Sequence, residues 1–291
     1  MLESFLQYIE HEKRYSIHTI QAYTADLHSL SSYLSSQYEC SMDASTQPML
    51  RSWVMHLAEL GNNPKTINRK LASVKSFYKF LLRREIIDND PSKNLISPKV
   101  EKKLPQFVQQ TELVKLLDSK NFDDSFGSLR DKLVLELLYG TGIRLSELIY
   151  LTETKVDLDK KILKVLGKGK KERLIPINAS LSTCISLYLD VKKEQLDFEN
   201  KYLLVTDKGD ATYPMYIYRI VKKYLSKIYS SQKKSPHVLR HTFATHLLNK
   251  GADLSAIKDL LGHSSLAATQ VYTHNSLDKL KNIFNQAHPK A

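Results

Sequence analysis

The chain has 291 residues, 42% of them hydrophobic, with only nine glycines and nine prolines; this suits two folded domains and excludes a disordered, collagen-like or low-complexity scaffold. The 43 Lys and Arg against 31 Asp and Glu leave a net charge of +12, so the expected partner is a polyanion, a nucleic acid backbone first and an anionic membrane surface second. Two distant cysteines, Cys40 and Cys184, exclude a disulfide framework or a cysteine zinc site, and no stretch reaches the roughly 18 apolar residues of a membrane span, so a cytoplasmic protein with reduced thiols is expected.

The first ninety residues read as four amphipathic helices, because apolar side chains recur at helical spacing. Leu2, Phe5, Leu6 and Ile9 mark the first, and Ile20, Tyr23, Leu27 and Leu30 the second. A third carries Leu50, Trp53, Val54 and Leu57 and stops near Gly61. Asn63-Pro64 then caps and opens a fourth, with Ile67, Leu71, Val74, Phe77, Tyr78 and Leu81. The opposite face of this fourth helix displays Lys65, Arg69, Lys70, Lys75 and Lys79, either a solvated face or a phosphate track. A helical bundle over residues 1–92 follows.

Asp88-Asn89-Asp90-Pro91 is a turn signal, and the charged, proline-bounded run from Ser97 to Pro105 reads as part of an interdomain linker, placed at 93–106. The second domain, 107–291, is the more basic one. Helices are expected near 111–118 and 128–139, the latter apolar at Leu133, Val134, Leu137 and Leu138 and ended by Gly140. The turn Thr141-Gly142-Ile143-Arg144 then leads into another short helix. Ile162 to Leu166 and Arg173 to Ile177 are β-type runs flanking Gly167-Lys168-Gly169-Lys170-Lys171, which predicts a hairpin with a basic tip. A helix near 180–193, a short strand at 202–205 and a helix through Ile217, Val221, Tyr224 and Ile228 come next.

Ser235-Pro236 caps and opens a helix over 237–248. At 100° per residue His237, Arg240 and His241 share one arc, while Leu239, Phe243 and Leu247 share another. Such a helix packs by one stripe and offers cations with the other, although a His three residues from an Arg is by itself ordinary surface decoration. Asp253 to Leu261 reads as a short helix ended by Gly262. Past His263 and a Ser264-Ser265 cap, a further helix runs through Val271, Tyr272 and His274. Singly, His263 reads as a capping histidine and Tyr272 as one of sixteen tyrosines.

Taken together, four blocks change that assessment. They are Thr141-Gly142-Ile143-Arg144-Leu145-Ser146-Glu147-Leu148, the hairpin Gly167 to Arg173, His237-Val238-Leu239-Arg240-His241, and Leu261-Gly262-His263 leading to Tyr272. In that order they resemble the tyrosine recombinase family, most closely its bacterial Xer-type members. The amino-terminal bundle, with Tyr15-Ser16-Ile17-His18-Thr19-Ile20-Gln21-Ala22-Tyr23, is similar to the family's SAM-like core-binding domain. The resemblance implies a mainly α fold, α+β in class, with a small β-sheet and two domains that clamp DNA.

It also implies roles. Attack on a phosphodiester builds charge on two non-bridging oxygens, which guanidinium forks stabilise; Arg144 and Arg240 take that part by resemblance, with His263 as a further donor. Tyr272 is the nucleophile that becomes linked to the 3′-phosphate, and a phenol of pKa near 10 needs a base, for which His237 is the choice. The leaving 5′-hydroxyl needs an acid: Lys168 matches the family's hairpin lysine in spacing, ahead of Lys170 and Lys171, unless the whole tip merely grips phosphate. Glu147 either orients the cations or forms a surface salt bridge. Lys65, Arg69, Lys70, Lys75, Lys170, Lys171 and Arg173 are expected on the DNA backbone.

Neither metal nor cofactor is expected, since bond energy is kept in the phosphotyrosyl link. The segment from Ser276 to Ala291, apolar at Leu277, Leu280 and Phe284, either docks on a neighbouring protomer or packs on its own domain. Further implications are a short palindromic DNA site, a homo- or hetero-tetramer on two duplexes, a paralogous recombinase and a septal DNA translocase as partners, and resolution of chromosome dimers. The nearest alternative with the same chemistry is a mobile-element integrase. A different class is a DNA-binding regulator, with residues 253–274 as a helix-turn-helix.

Overall fold

Helix starts and stops follow local chemistry, as two cases illustrate. The Asn63 side chain accepts from the Thr66 amide and Pro64 opens the first turn, so a helix runs Pro64–Arg83; the Asp253 carboxylate accepts from the amides of Ser255 and Ala256 and opens Leu254–Leu261. The computed structural model describes residues 1–101, 107–118, 121–167, 172–196, 200–231 and 233–262. It divides into two compact units, Met1–Lys103 and Leu104–Ala291. The fold is mainly α with one small antiparallel sheet, as the sequence predicts.

The first unit holds α1 (Leu2–Gln7), continued by a π-helical turn Tyr8–Glu12, then α2 (Ile17–Tyr38), α3 (Gln47–Glu59) and α4 (Pro64–Arg83). Phe5, Leu27, Leu30, Leu50, Trp53, Val74, Phe77 and Leu81 close its core. Residues expected at the start of the linker lie against α4, where Lys75 donates to the Leu95 carbonyl and Asn68 to that of Pro98. The polar face of α4 carries a buried counter-charge. Asp26 of α2, 1% exposed, accepts from both terminal nitrogens of Arg69 and from the Ser73 hydroxyl, with the Lys70 ammonium 3.4 Å away.

The second unit is built around α6 (Phe126–Thr141), which is buried along nearly its whole length and packs against α5 (Gln110–Asp118), α8 (Ala179–Gln195), α9 (Pro214–Ile228) and α10 (Pro236–Asn249). Its end differs from expectation: Gly140 stays helical and Gly142, at φ +60°, makes the left-handed cap. A short helix α7 (Leu145–Ile149) follows. The sheet has three strands in the order β1 (Val156–Asp157), β2 (Ile162–Leu166) and β3 (Glu172–Pro176), with Val165 opposite Arg173. Strand β1 has no signature in the sequence pattern. The strand expected at 202–205 is reduced to isolated bridges, Thr152 with Tyr202 and Val205 with Ala211. Helix α11 (Leu254–Leu261) ends at Gly262, φ +62°. Among the described residues no helix is long and apolar enough to cross a membrane.

Candidate active site

Arg144 is the extended residue that opens α7, and Glu147, one turn on, reaches back to it. One Glu147 oxygen, Oε2, accepts the Arg144 backbone N–H at 2.8 Å, and the other, Oε1, accepts the Arg144 guanidinium Nη1 at 2.8 Å. The second arm of that guanidinium, Nη2, donates to the Gly262 carbonyl at 2.7 Å. Arg240, from α10, donates one arm to the Gly142 carbonyl and the other to that of Leu261 at 2.6 Å. Arg173, from β3, donates Nε to the Leu260 carbonyl at 2.9 Å. The carbonyls of Leu260, Leu261 and Gly262 therefore each accept from a different arginine. A helix leaves its last carbonyls without internal partners and carries the negative end of its dipole there, so three cations satisfy both needs at the end of α11.

Electrostatics separate the members of this cluster. Burial alone would raise the Glu147 carboxyl, but hydrogen bonds and charge from Arg173, and hydrogen bonds from Arg144, outweigh it and pull it down to about 2. Because the folded state holds the carboxyl below its unfolded value, the stabilisation is complete above a pH near 4.5 and is lost as pH falls toward 2. At 8% exposure the shift corresponds to about 3 kcal/mol. The melting temperature of the wild-type protein is expected to fall across that window, and that of Glu147→Gln, lower at neutral pH, to fall less; parallel acid limbs in calorimetry would refute the assignment.

Arg240 is pulled the other way. Burial, then the charges of Arg144 and Arg173, lower its guanidinium to about 10. Cations crowded together in this way gain from a tetrahedral oxyanion, whose oxygens take the donor hydrogens that the carbonyls leave over. Sulfate is expected to raise the melting temperature above that in chloride at equal ionic strength; at ten times its dissociation constant the gain is about 1.4 kcal/mol. Arg240→Ala should erase the difference between the two salts, and an unchanged difference would place the anion elsewhere.

The structure brings Arg144, Glu147 and Arg240 together, three of the residues singled out in the sequence. Glu147 is a buried ion-pair partner of two arginines and not a surface salt bridge. His237 is exposed on the first turn of α10, three residues before Arg240 and hence on the same face. Arg173 corrects an expectation: counted with the backbone-contacting cations of the hairpin, it is 5% exposed and forked onto Glu147 at 2.6 and 2.9 Å. Strand alternation was the available signal, because Arg173 shares a face with the buried Ile175. In α4, Lys65 is exposed, whereas Arg69 and Lys70 are drawn to Asp26, and Lys75 to the Leu95 carbonyl. Lys168, Lys170, Lys171, His263, Tyr272 and the segment 276–291 lie outside the described residues.

Comparison with known proteins covers the same ground. The Phage integrase family pattern matches residues 106–278, and the pattern of its N-terminal SAM-like domain matches residues 2–85. Tyrosine recombinase XerC of Chlorobaculum parvum is 38% identical over 317 residues, spanning 100% of this chain and 94% of its own. Tyrosine recombinase XerD of Staphylococcus aureus is 35% identical over 293 residues, spanning 100% and 99%. Among solved structures, the XerA recombinase is 27% identical with a TM-score of 0.50, covering 98% of this chain and 97% of its own. XerH bound to a palindromic difH substrate is 24% identical with a TM-score of 0.74, covering 97% and 82%, a likeness of fold.

Proposed function

Since this chain belongs to the phage integrase family as a tyrosine recombinase, we propose that it cuts and rejoins DNA at a short, roughly palindromic chromosomal site through a covalent 3′-phosphotyrosyl intermediate. The Tyr272 phenolic oxygen attacks the scissile phosphorus while His237 takes the phenol proton. The bond from phosphorus to the 5′-oxygen breaks, and Lys168 supplies the proton that the departing oxygen needs. Arg144 and Arg240, with His263, hold the non-bridging oxygens, and Glu147 orients Arg144. The 5′-hydroxyl of a second duplex then attacks the phosphotyrosyl phosphorus and frees Tyr272. The energy of the broken bond is conserved, so the exchange needs no cofactor.

The observation that carries this reading is the pair Arg144 and Arg240, each held by backbone carbonyls from α11 and its cap, and Arg240 also by that of Gly142. Two forks fixed by main chain are pre-organised for the charge that develops on two oxygens of one phosphate. Lys65, Arg69, Lys70, Lys75, Lys170 and Lys171 contact the DNA backbone in this reading, which gives salt-dependent affinity without reading sequence. Exchange between two duplexes requires four active sites used in turn, so the working form is a tetramer, alone or with a paralogous recombinase, that passes through a Holliday junction in the cytoplasm. Resolution of chromosome dimers at a dif-like site, under a septal DNA translocase, is the role we assign.

The test is incubation with a nicked duplex carrying the chromosomal site, followed by denaturation. A protein–DNA adduct that survives it, with the nucleotide mapped to Tyr272 by mass spectrometry, is expected. DNA binding with no adduct, on several sites and with the paralogous partner present, would instead favour a DNA-binding regulator.

A further inference from the structure

We infer that Arg173 is a positioning residue for the phosphate site and not a DNA contact, an inference that rests on the recombinase reading of that site. Each of its three guanidinium nitrogens is engaged inside the protein: Nε donates to the Leu260 carbonyl, and each terminal nitrogen donates to a separate oxygen of Glu147. With the side chain 5% exposed, a phosphate reaches it only if the ion pair opens. Its first effect is on geometry. Both Glu147 oxygens are shared between Arg173 and Arg144, so the planar fork of Arg173 fixes the carboxylate plane to which the Arg144 guanidinium and backbone are docked.

The second effect is on charge. Glu147 carries one negative charge and Arg173 balances it, which leaves the charges of Arg144 and Arg240 for an incoming phosphate. Without Arg173, the buried carboxylate would draw its compensation from Arg144 alone, and the phosphate would lose part of that cation. A third effect reaches the chain beyond α11. A Cβ at Gly262 would stand 3.1 Å from the Arg173 Cδ, so the backbone passes flush against this side chain as it leaves the helix. Arg173 also lies on β3, and so ties that strand to Glu147.

The test compares adduct formation on two nicked duplexes, one with an ordinary scissile phosphodiester and one with a methylphosphonate there. The methyl group removes the charge that the guanidinium pair neutralises, so a defect in that pair matters less on the second substrate. Arg173→Gln is expected to slow adduct formation about 100-fold on the phosphodiester and at most about tenfold on the methylphosphonate, the pattern of Arg144→Ala. Arg173→Lys, which keeps the charge without the fork and guards against a glutamine variant that does not fold, should fall between wild type and Arg173→Gln. Melting temperatures are measured alongside. Equal losses on both substrates would overturn the inference, since general damage to the fold ignores the phosphate's charge. Wild-type cleavage rates with weakened, less salt-sensitive DNA binding would also overturn it, returning Arg173 to the backbone contacts. A wild-type protein that forms no adduct on the phosphodiester would sink the recombinase reading itself.

Discussion

Tyr272→Phe is expected to abolish the covalent protein–DNA adduct and to leave DNA affinity unchanged. The substitution keeps the ring and deletes only the oxygen proposed as nucleophile, so strand cleavage should fall by at least about 10⁴-fold. Water can still attack a phosphate held by Arg144 and Arg240, but it leaves no protein-linked product. At least four of the other fifteen tyrosines are unfit to substitute. Burial pushes the phenols of Tyr78, Tyr139 and Tyr188 well above their ordinary range, and that of Tyr216 up to about 12. A phenol so hard to ionise inside a core is a structural group. The measurement is a denaturing gel with end-labelled nicked DNA beside a binding titration on the same duplex. A persistent adduct in Tyr272→Phe would assign the nucleophile to another residue, and loss of binding together with the adduct would make Tyr272 a packing residue.

How far the sequence discloses this site depends on which force sets each residue. Helices were legible, because apolar spacing and caps such as Asn63-Pro64 and Asp253 act within a turn or two of the chain. The clustering of Arg144, Glu147 and Arg240 was legible through their motifs. For Arg173 alternation with Ile175 gave its inward face but not its partner: it follows directly on a basic run and reads as one more cation, whereas pairing of β3 with β2 brings it onto a carboxylate 26 positions away. The carbonyl anchors were likewise hidden: no side-chain pattern encodes that Leu260, Leu261 and Gly262 present their oxygens to three arginines. Asp26 gave a faint sign as an acidic residue beside the core position Leu27, but its hold on Arg69 and Lys70 depends on how α2 meets α4.

Gly142→Ala is expected to damage stability and chemistry together, because one glycine serves both. At φ +60° an alanine carries a left-handed backbone cost of about 1–2 kcal/mol. Its Cβ would also stand 2.5 Å from Phe243 Cδ1 and 2.8 Å from Leu261 Cδ2, both on side chains buried in the core, and overpacking of that kind costs about 1–3 kcal/mol more. Gly251 separates the two contributions, since it has φ +83° with nothing within 4 Å of an added Cβ, so Gly251→Ala bears the backbone cost alone. At roughly 3 °C per kcal/mol for a unit of this size, Gly142→Ala should melt about 10 °C below wild type and Gly251→Ala about 5 °C below. The collision does not stay local. The Gly142 carbonyl anchors one arm of Arg240 and that of Leu261 the other, while Phe243 sits one turn from Arg240 on α10, so relieving the clash displaces the guanidinium from both acceptors. Adduct formation should therefore fall in Gly142→Ala well below its melting temperature and persist in Gly251→Ala. Equal melting of the two variants would mean that the core gives way around a methyl group, and the tight seat of Arg240 on Gly142 would then have to be abandoned.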